Sequence, residues 1–326
     1  MKKIGLSIII FFSISIMGYS QSEIFTPGGK PFMKVFTNFH SSFSDGKSNS
    51  AFEIKRAYLG YEYAFSKNFS AKANFDIDNP GTGKLQMTVY IKNAYLKYKL
   101  DNFTAKFGMI GTKSFSVQES AWGYRYIEKS FQDAYKFNAS ADLGASVSYK
   151  FNDIISADAI IANGEGYKNL QADSTFRTGF GLTFNPIKRL TARVYYDFST
   201  KINTQSSIIA FLGYKANNYS IGAEYNKLSN VGFYDGREMS GSSFYARVKA
   251  SKKLSIFARY DQLLSNKLAG ASDSWNIAKD GQLFIAGIEY APVKGVKLAP
   301  NFKGWNPTDT SKTFVSTFFL NCEIKF

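Results

Sequence analysis

Read back from its last residue, the chain alternates. Phe326, Ile324, Cys322, Leu320, Phe318, Ser316 and Phe314 take every second position, and Lys325, Glu323, Asn321, Phe319, Thr317 and Val315 fill the gaps. A period of two places these sets on opposite faces of a β-strand, one apolar and one increasingly polar. The pattern recurs where Leu190, Ala192, Val194, Tyr196 and Phe198 alternate with Arg189, Thr191, Arg193, Tyr195 and Asp197. It recurs again around Leu143–Phe151 and Leu254–Asp261. Segments of about ten residues with this alternation are the signature of a transmembrane β-barrel.

Sixteen such segments can be placed: 32–43, 51–65, 69–77, 86–99, 103–111, 141–151, 154–163, 175–185, 189–199, 205–215, 218–227, 243–250, 253–263, 281–291, 295–303 and 313–326. The links after even-numbered segments are tiny, as at Leu100–Asn102, Asn152–Asp153, Ala216–Asn217 and Ser251–Lys252. Those after odd-numbered segments are mostly longer. Short turns at one end and long loops at the other belong to an outer-membrane barrel with both termini on the periplasmic side. A soluble sandwich has no reason to sort loop lengths by strand parity. The fold expected is therefore all-β, a transmembrane antiparallel up-and-down barrel of about 16 strands. Within 51–65 and 86–100 the alternation slips by one residue, which marks either a β-bulge or a misjudged register.

Aromatic residues gather beside the short turns: Tyr63, Phe65, Tyr98, Tyr149, Phe151, Phe184, Tyr214, Tyr290 and Phe326. Rings of this kind suit a membrane interface, and a girdle at that level explains their position at strand ends. The whole chain is rich in them, with 31 Phe and 21 Tyr against 7 Pro.

The N-terminus reads differently. Met1-Lys2-Lys3, an apolar run from Ile4 to Met17 and then Gly18-Tyr19-Ser20-Gln21 make up a secretory signal peptide. The expected division is a signal peptide over 1–20 and a barrel over 21–326. Removing the leader takes the formal charge from +15 to +13, since Lys2 and Lys3 are its only charged residues. A basic balance of this size suits anionic solutes, anionic lipid surfaces or nucleic acid; the barrel pattern removes nucleic acid from the expectation. One cysteine excludes an intramolecular disulfide, and one histidine, His40, leaves little from which to build a catalytic triad or a His-rich metal site. No phosphate loop, paired-Cys zinc spacing or nucleophile elbow is present. No enzyme activity, metal or cofactor is expected.

If the apolar set faces lipid, the other set faces the lumen. It carries Lys72, Lys106, Arg177, Arg193, Arg247, Lys249, Arg259, Lys297 and Arg56, with Asp76, Asp158, Asp197, Glu224, Asp261 and Glu289 among them. Sixteen strands enclose an aqueous channel rather than a packed core. These charges either keep the lumen wet by pairing with one another or crowd a narrow point and select anions.

The third outer link, from Thr112 to Ser140, is far longer than its counterparts and contains "WGYRYIEKSFQDAY" at 122–135. Its aromatics give it material to pack with, so the expectation is an ordered loop folded into the lumen. The candidate constriction residues are then Arg125, Glu128, Lys129, Asp133 and Lys136 on the loop, facing Arg56, Lys72, Lys106, Arg193, Arg247 and Arg259 on the wall. A loop standing outwards would instead make the barrel a surface-complex or secretion component that docks a partner.

The run from Ala94 to Phe151, with its long aromatic loop and the Ala-Asp-Leu-Gly start of the next strand, resembles the phosphate-selective porin O and P family. "KLSIFARYDQL" at 253–263 and "FEIKRAYLGYEYAF" at 52–65 are similar to strands of that family. The resemblance implies a sixteen-stranded homotrimeric porin of the outer membrane. It would pass small hydrophilic solutes, with a preference for anions such as phosphate.

Overall fold

The computed structural model describes residues 25–79 and 87–326. The expected signal peptide lies outside those residues.

All sixteen expected segments are strands, joined in one closed antiparallel barrel in which each strand pairs with its sequence neighbours and the last closes on the first. They are β1 Gly28–Ser44, β2 Lys47–Ala64, β3 Phe69–Asp78, β4 Thr88–Leu100, β5 Phe103–Gly111, β6 Ala141–Lys150, β7 Ile155–Ala162 and β8 Arg177–Ile187. The second half comprises β9 Leu190–Thr200, β10 Thr204–Lys215, β11 Tyr219–Ser229, β12 Glu238–Lys249, β13 Leu254–Ser265, β14 Gly281–Tyr290, β15 Val296–Pro307 and β16 Val315–Lys325. Closure leaves no free sheet edge along the paired strands, which is what a bilayer demands of a β-structure.

Several boundaries depart from expectation, and the causes of two are plain. The first outer link is only a two-residue turn, because Asp45 and Gly46 both take positive φ (50° and 67°) and close a tight hairpin. Strand β12 starts at Glu238 rather than 243 because Ser240, Gly241 and Ser242 carry little β-signal of their own yet pair in register with β11. Gly241 is needed there. A Cβ at that position would collide with the ring of Phe131, which the third loop presses against the wall.

Both slips in the alternation are bulges. On β2 the register jumps from Phe36↔Arg56 to Thr37↔Ile54, leaving Lys55 without a partner. On β4 it jumps from Asn74↔Asn93 to Phe75↔Ile91, leaving Lys92. Each bulge therefore adds one lysine to its strand.

The exterior is apolar, with Phe107, Phe180, Leu182, Val194, Leu212, Phe244, Ile256 and Phe318 all exposed. Such a belt is stable only against hydrocarbon. At the short-turn end the girdle forms ring pairs: Tyr63 with Phe65 and Tyr149 with Phe151, both 5.0 Å between centroids, and Phe69 with Tyr98 at 4.8 Å. Cys322 lies on the outward-facing set, between Leu320 and Ile324.

What serves as a core is the third loop. Residues 112–140 enter the lumen and carry two short helices, α1 Ser116–Trp122 and α2 Phe131–Ala134. Gly123, at φ 71°, ends α1 in the left-handed conformation that glycine adopts without strain. Trp122, Tyr124, Tyr126, Ile127, Phe131 and Phe137 are all buried.

Candidate functional site: a lumenal constriction

The loop is bound to the wall mainly along β11–β15. Trp122 packs edge-on against Tyr245 and Phe257, and Tyr124 lies 4.5 Å from Phe257 between ring centroids. The Tyr126 hydroxyl donates to Glu289 Oε2 at 2.9 Å, and Tyr135 donates to Asp261 Oδ2 at 3.3 Å. Gln132 donates to Asn226 and Asn138 to Asp197. With these anchors the aromatics of 122–135 become the packing that holds the loop inside.

Irregular backbone sealed in a lumen needs partners for its carbonyls. Four wall cations supply them: Lys55 to Ile127 O at 3.0 Å, Arg259 to Lys129 O at 2.6 Å, Arg193 to Lys113 O at 2.9 Å and Arg177 to Phe137 O at 3.3 Å. Arg259 and Arg193 are otherwise held by carboxylates. Asp261 takes Arg259 through two hydrogen bonds (2.7 and 2.6 Å), and Asp158 takes Arg193 through two (2.7 and 2.9 Å). Glu128 is buried and bonded to Lys303. Burial pushes its carboxyl up, but Lys303 and Lys55 outweigh burial and hold it well below the usual carboxylate range.

The other face of the loop turns towards β2–β4, and two chains of alternating charge meet there. On the loop, Arg125 lies 3.8 Å from Glu119 and 3.3 Å from Asp133, which also pairs with Lys129 at 4.0 Å. On the wall, Arg56 bridges Asp76 (3.1 Å) and Asp78 (2.7 Å), and Lys92 stands 3.8 Å from Asp76. Tyr58 lies beside both: Lys92 Nζ is 5.3 Å from its ring, and Arg125 joins Tyr58, Phe36 and Glu119 in lining a cavity of about 340 Å³ below the constriction. A second cavity of about 430 Å³ lies on the opposite side of the loop, where Arg247 and Arg189 line it.

The eleven candidates thus separate. Arg56, Arg125, Lys129 and Asp133 come together at the constriction. Arg193, Arg259 and Glu128 are buried in contacts that fasten the loop. Lys72, Lys106 and Arg247 lie further towards the short-turn end. Lys72 pairs with Glu62 at 2.8 Å, while Lys106 and Arg247 make no ion pair among the described residues. Lys136 is exposed at φ 60° and likewise makes no ion pair among them.

Several participants were not on that list. Lys55 and Lys92 occupy the bulges, and the broken alternation was the signal that could have found them. Asp76 had been placed in the lumen but not at the constriction. Tyr167 and Lys168, from the link between β7 and β8, also reach it, and nothing in their local sequence pointed there.

The architecture is a closed sixteen-stranded antiparallel membrane barrel narrowed from within by its third outer loop. No protein-family model and no curated protein matches the chain. Solved structures do. The chain is similar to an anion-selective porin from Comamonas acidovorans (TM-score 0.71, 11% identity, covering 92% of this chain and 100% of that one). It is similar to OmpF of Salmonella typhi in complex with daunomycin (TM-score 0.70, 14% identity, 91% and 97%). It is also similar to the outer membrane channel DcaP of Acinetobacter baumannii (TM-score 0.65, 14% identity, 92% and 97%). At these identities the likeness is one of fold.

Proposed function

We propose that the protein is a non-enzymatic outer-membrane porin through which small hydrophilic solutes diffuse passively, with a preference for anions. The observation that carries the reading is the third loop fastened across the lumen so that Arg125, Lys129 and Asp133 face Arg56, Asp76 and Lys92. Charges of both signs lining a narrow aqueous gap orient dipolar solutes and reject bulky apolar ones. The anion preference rests on the lumen below that gap. Lys97, Lys106, Arg189 and Arg247 make no ion pair there among the described residues, so their charge is left for the solution. Phosphate stands as a candidate anion through the resemblance to the phosphate-selective porins alone. A homotrimer is the assembly that the resemblance implies.

The test is purified protein in planar bilayers across a tenfold KCl gradient. Stepwise conductance with a reversal potential on the anion side is the expected result. Cation selectivity would overturn the anion preference, and the absence of conductance would overturn the channel itself.

A further inference from the structure

The third loop does not set the charge of the constriction alone. The link at 163–176 folds over the base of that loop, where Gly164 N donates to Asp142 Oδ2 at 2.6 Å and Tyr167 N donates to Ala141 O at 3.0 Å. Its far side is tied to the β9–β10 turn by Lys201, which pairs with Asp173 at 2.5 Å and Glu165 at 3.5 Å. Held at both ends, the link sends two consecutive side chains to the wall. The Tyr167 hydroxyl donates to Asp76 Oδ2 at 2.6 Å, and Lys168 pairs with Asp78. Ring faces fix both positions: Lys92 Nζ lies 5.0 Å from the Tyr167 centroid, and Lys168 Nζ lies 4.4 Å from that of Tyr90.

The loop chain Glu119–Arg125–Asp133–Lys129 sums to zero. On the wall, Arg56 and Lys92 cancel Asp76 and Asp78, so that set is neutral too until Lys168 joins it. Tyr167 adds no charge, but it occupies a lone pair of Asp76 that would otherwise attract a passing cation. We infer that Lys168, with Tyr167 beside it, determines selectivity, giving these two chains, each neutral among the described residues, an excess positive charge from outside the third loop. The inference rests on the channel reading given above.

One unit charge roughly 6 Å from a passing ion in water changes its local population about threefold. In bilayers, K168Q is therefore expected to lower the anion-to-cation permeability ratio about tenfold, threefold through each ion, with K168R leaving it at the wild-type value. K168Q/D78N restores one net positive charge on the wall and is expected to restore the ratio. Heat-modifiable migration on a gel shows that each variant has folded. A conducting K168Q channel with the wild-type ratio, or a double variant no better than K168Q, overturns the inference while leaving the channel reading intact. A wild-type protein that does not conduct overturns that reading and the inference with it.

Discussion

Arg259 fastens the loop rather than lining an open path, and its removal has a calculable consequence. It is 4% exposed, doubly bonded to an Asp261 that is 0% exposed, donates to Lys129 O at 2.6 Å and lies 5.0 Å from the Trp122 ring. In R259M, Asp261 keeps only Ser243 Oγ at 2.6 Å and the Tyr135 hydroxyl at 3.3 Å. Glu224, also buried, stays nearby with no ion-pair partner among the described residues. An uncompensated charge in such a site costs about 3–5 kcal/mol. Opening the loop hydrates Asp261, so the cost falls on the closed loop and raises its open population by about a hundredfold or more. R259M/D261N removes both charges and keeps a side chain able to bond Ser243 and Tyr135. It loses little more than the Lys129 carbonyl bond, about 1 kcal/mol. Hydrogen exchange of residues 123–137 in detergent micelles reads the opening directly. Protection should collapse in R259M and return in large part in the double variant. Unchanged protection in R259M, or a double variant as open as R259M, would refute the assignment of Arg259 as an anchor.

Deleting residues 116–137 should raise single-channel conductance several-fold, and an unchanged value would mean that the loop does not limit flow. Glu128, with its pKa held down in the folded protein, stabilises the loop at and above the ordinary carboxylate value of 4.5 and loses that contribution only well below it. Current noise in the wild type should therefore be alike at pH 7 and pH 4.5, while E128Q should be noisier at both. Quiet E128Q channels would show that Lys303 holds nothing that matters.

The period of two found all sixteen strands because every residue position faces either lipid or water, and a strand that slips by one exposes the wrong set. Even the exceptions were legible: the two slips mark Lys55 and Lys92. The helices α1 and α2 were not. Each is too short to show an apolar stripe, and their burial comes from wall residues such as Tyr245 and Phe257, more than a hundred positions away in the chain. The same distance hid Tyr167 and Lys168, which read locally as an ordinary polar link until the barrel closes and brings Asp76 and Asp78 within reach.

A count of lumenal charges is therefore a poor guide to selectivity. The irregular loop cannot satisfy its own carbonyls, and no bulk water reaches those that it presses against the wall. Lys55, Arg177, Arg193 and Arg259 each donate to one of them, and Asp158, Asp197 and Asp261 hold the arginines in place. Part of the basic excess is thus required to keep a loop inside a barrel at all. Among the described residues, charges left to act on a solute include Lys97, Lys106, Arg189 and Arg247 below the constriction, and Lys168 at it.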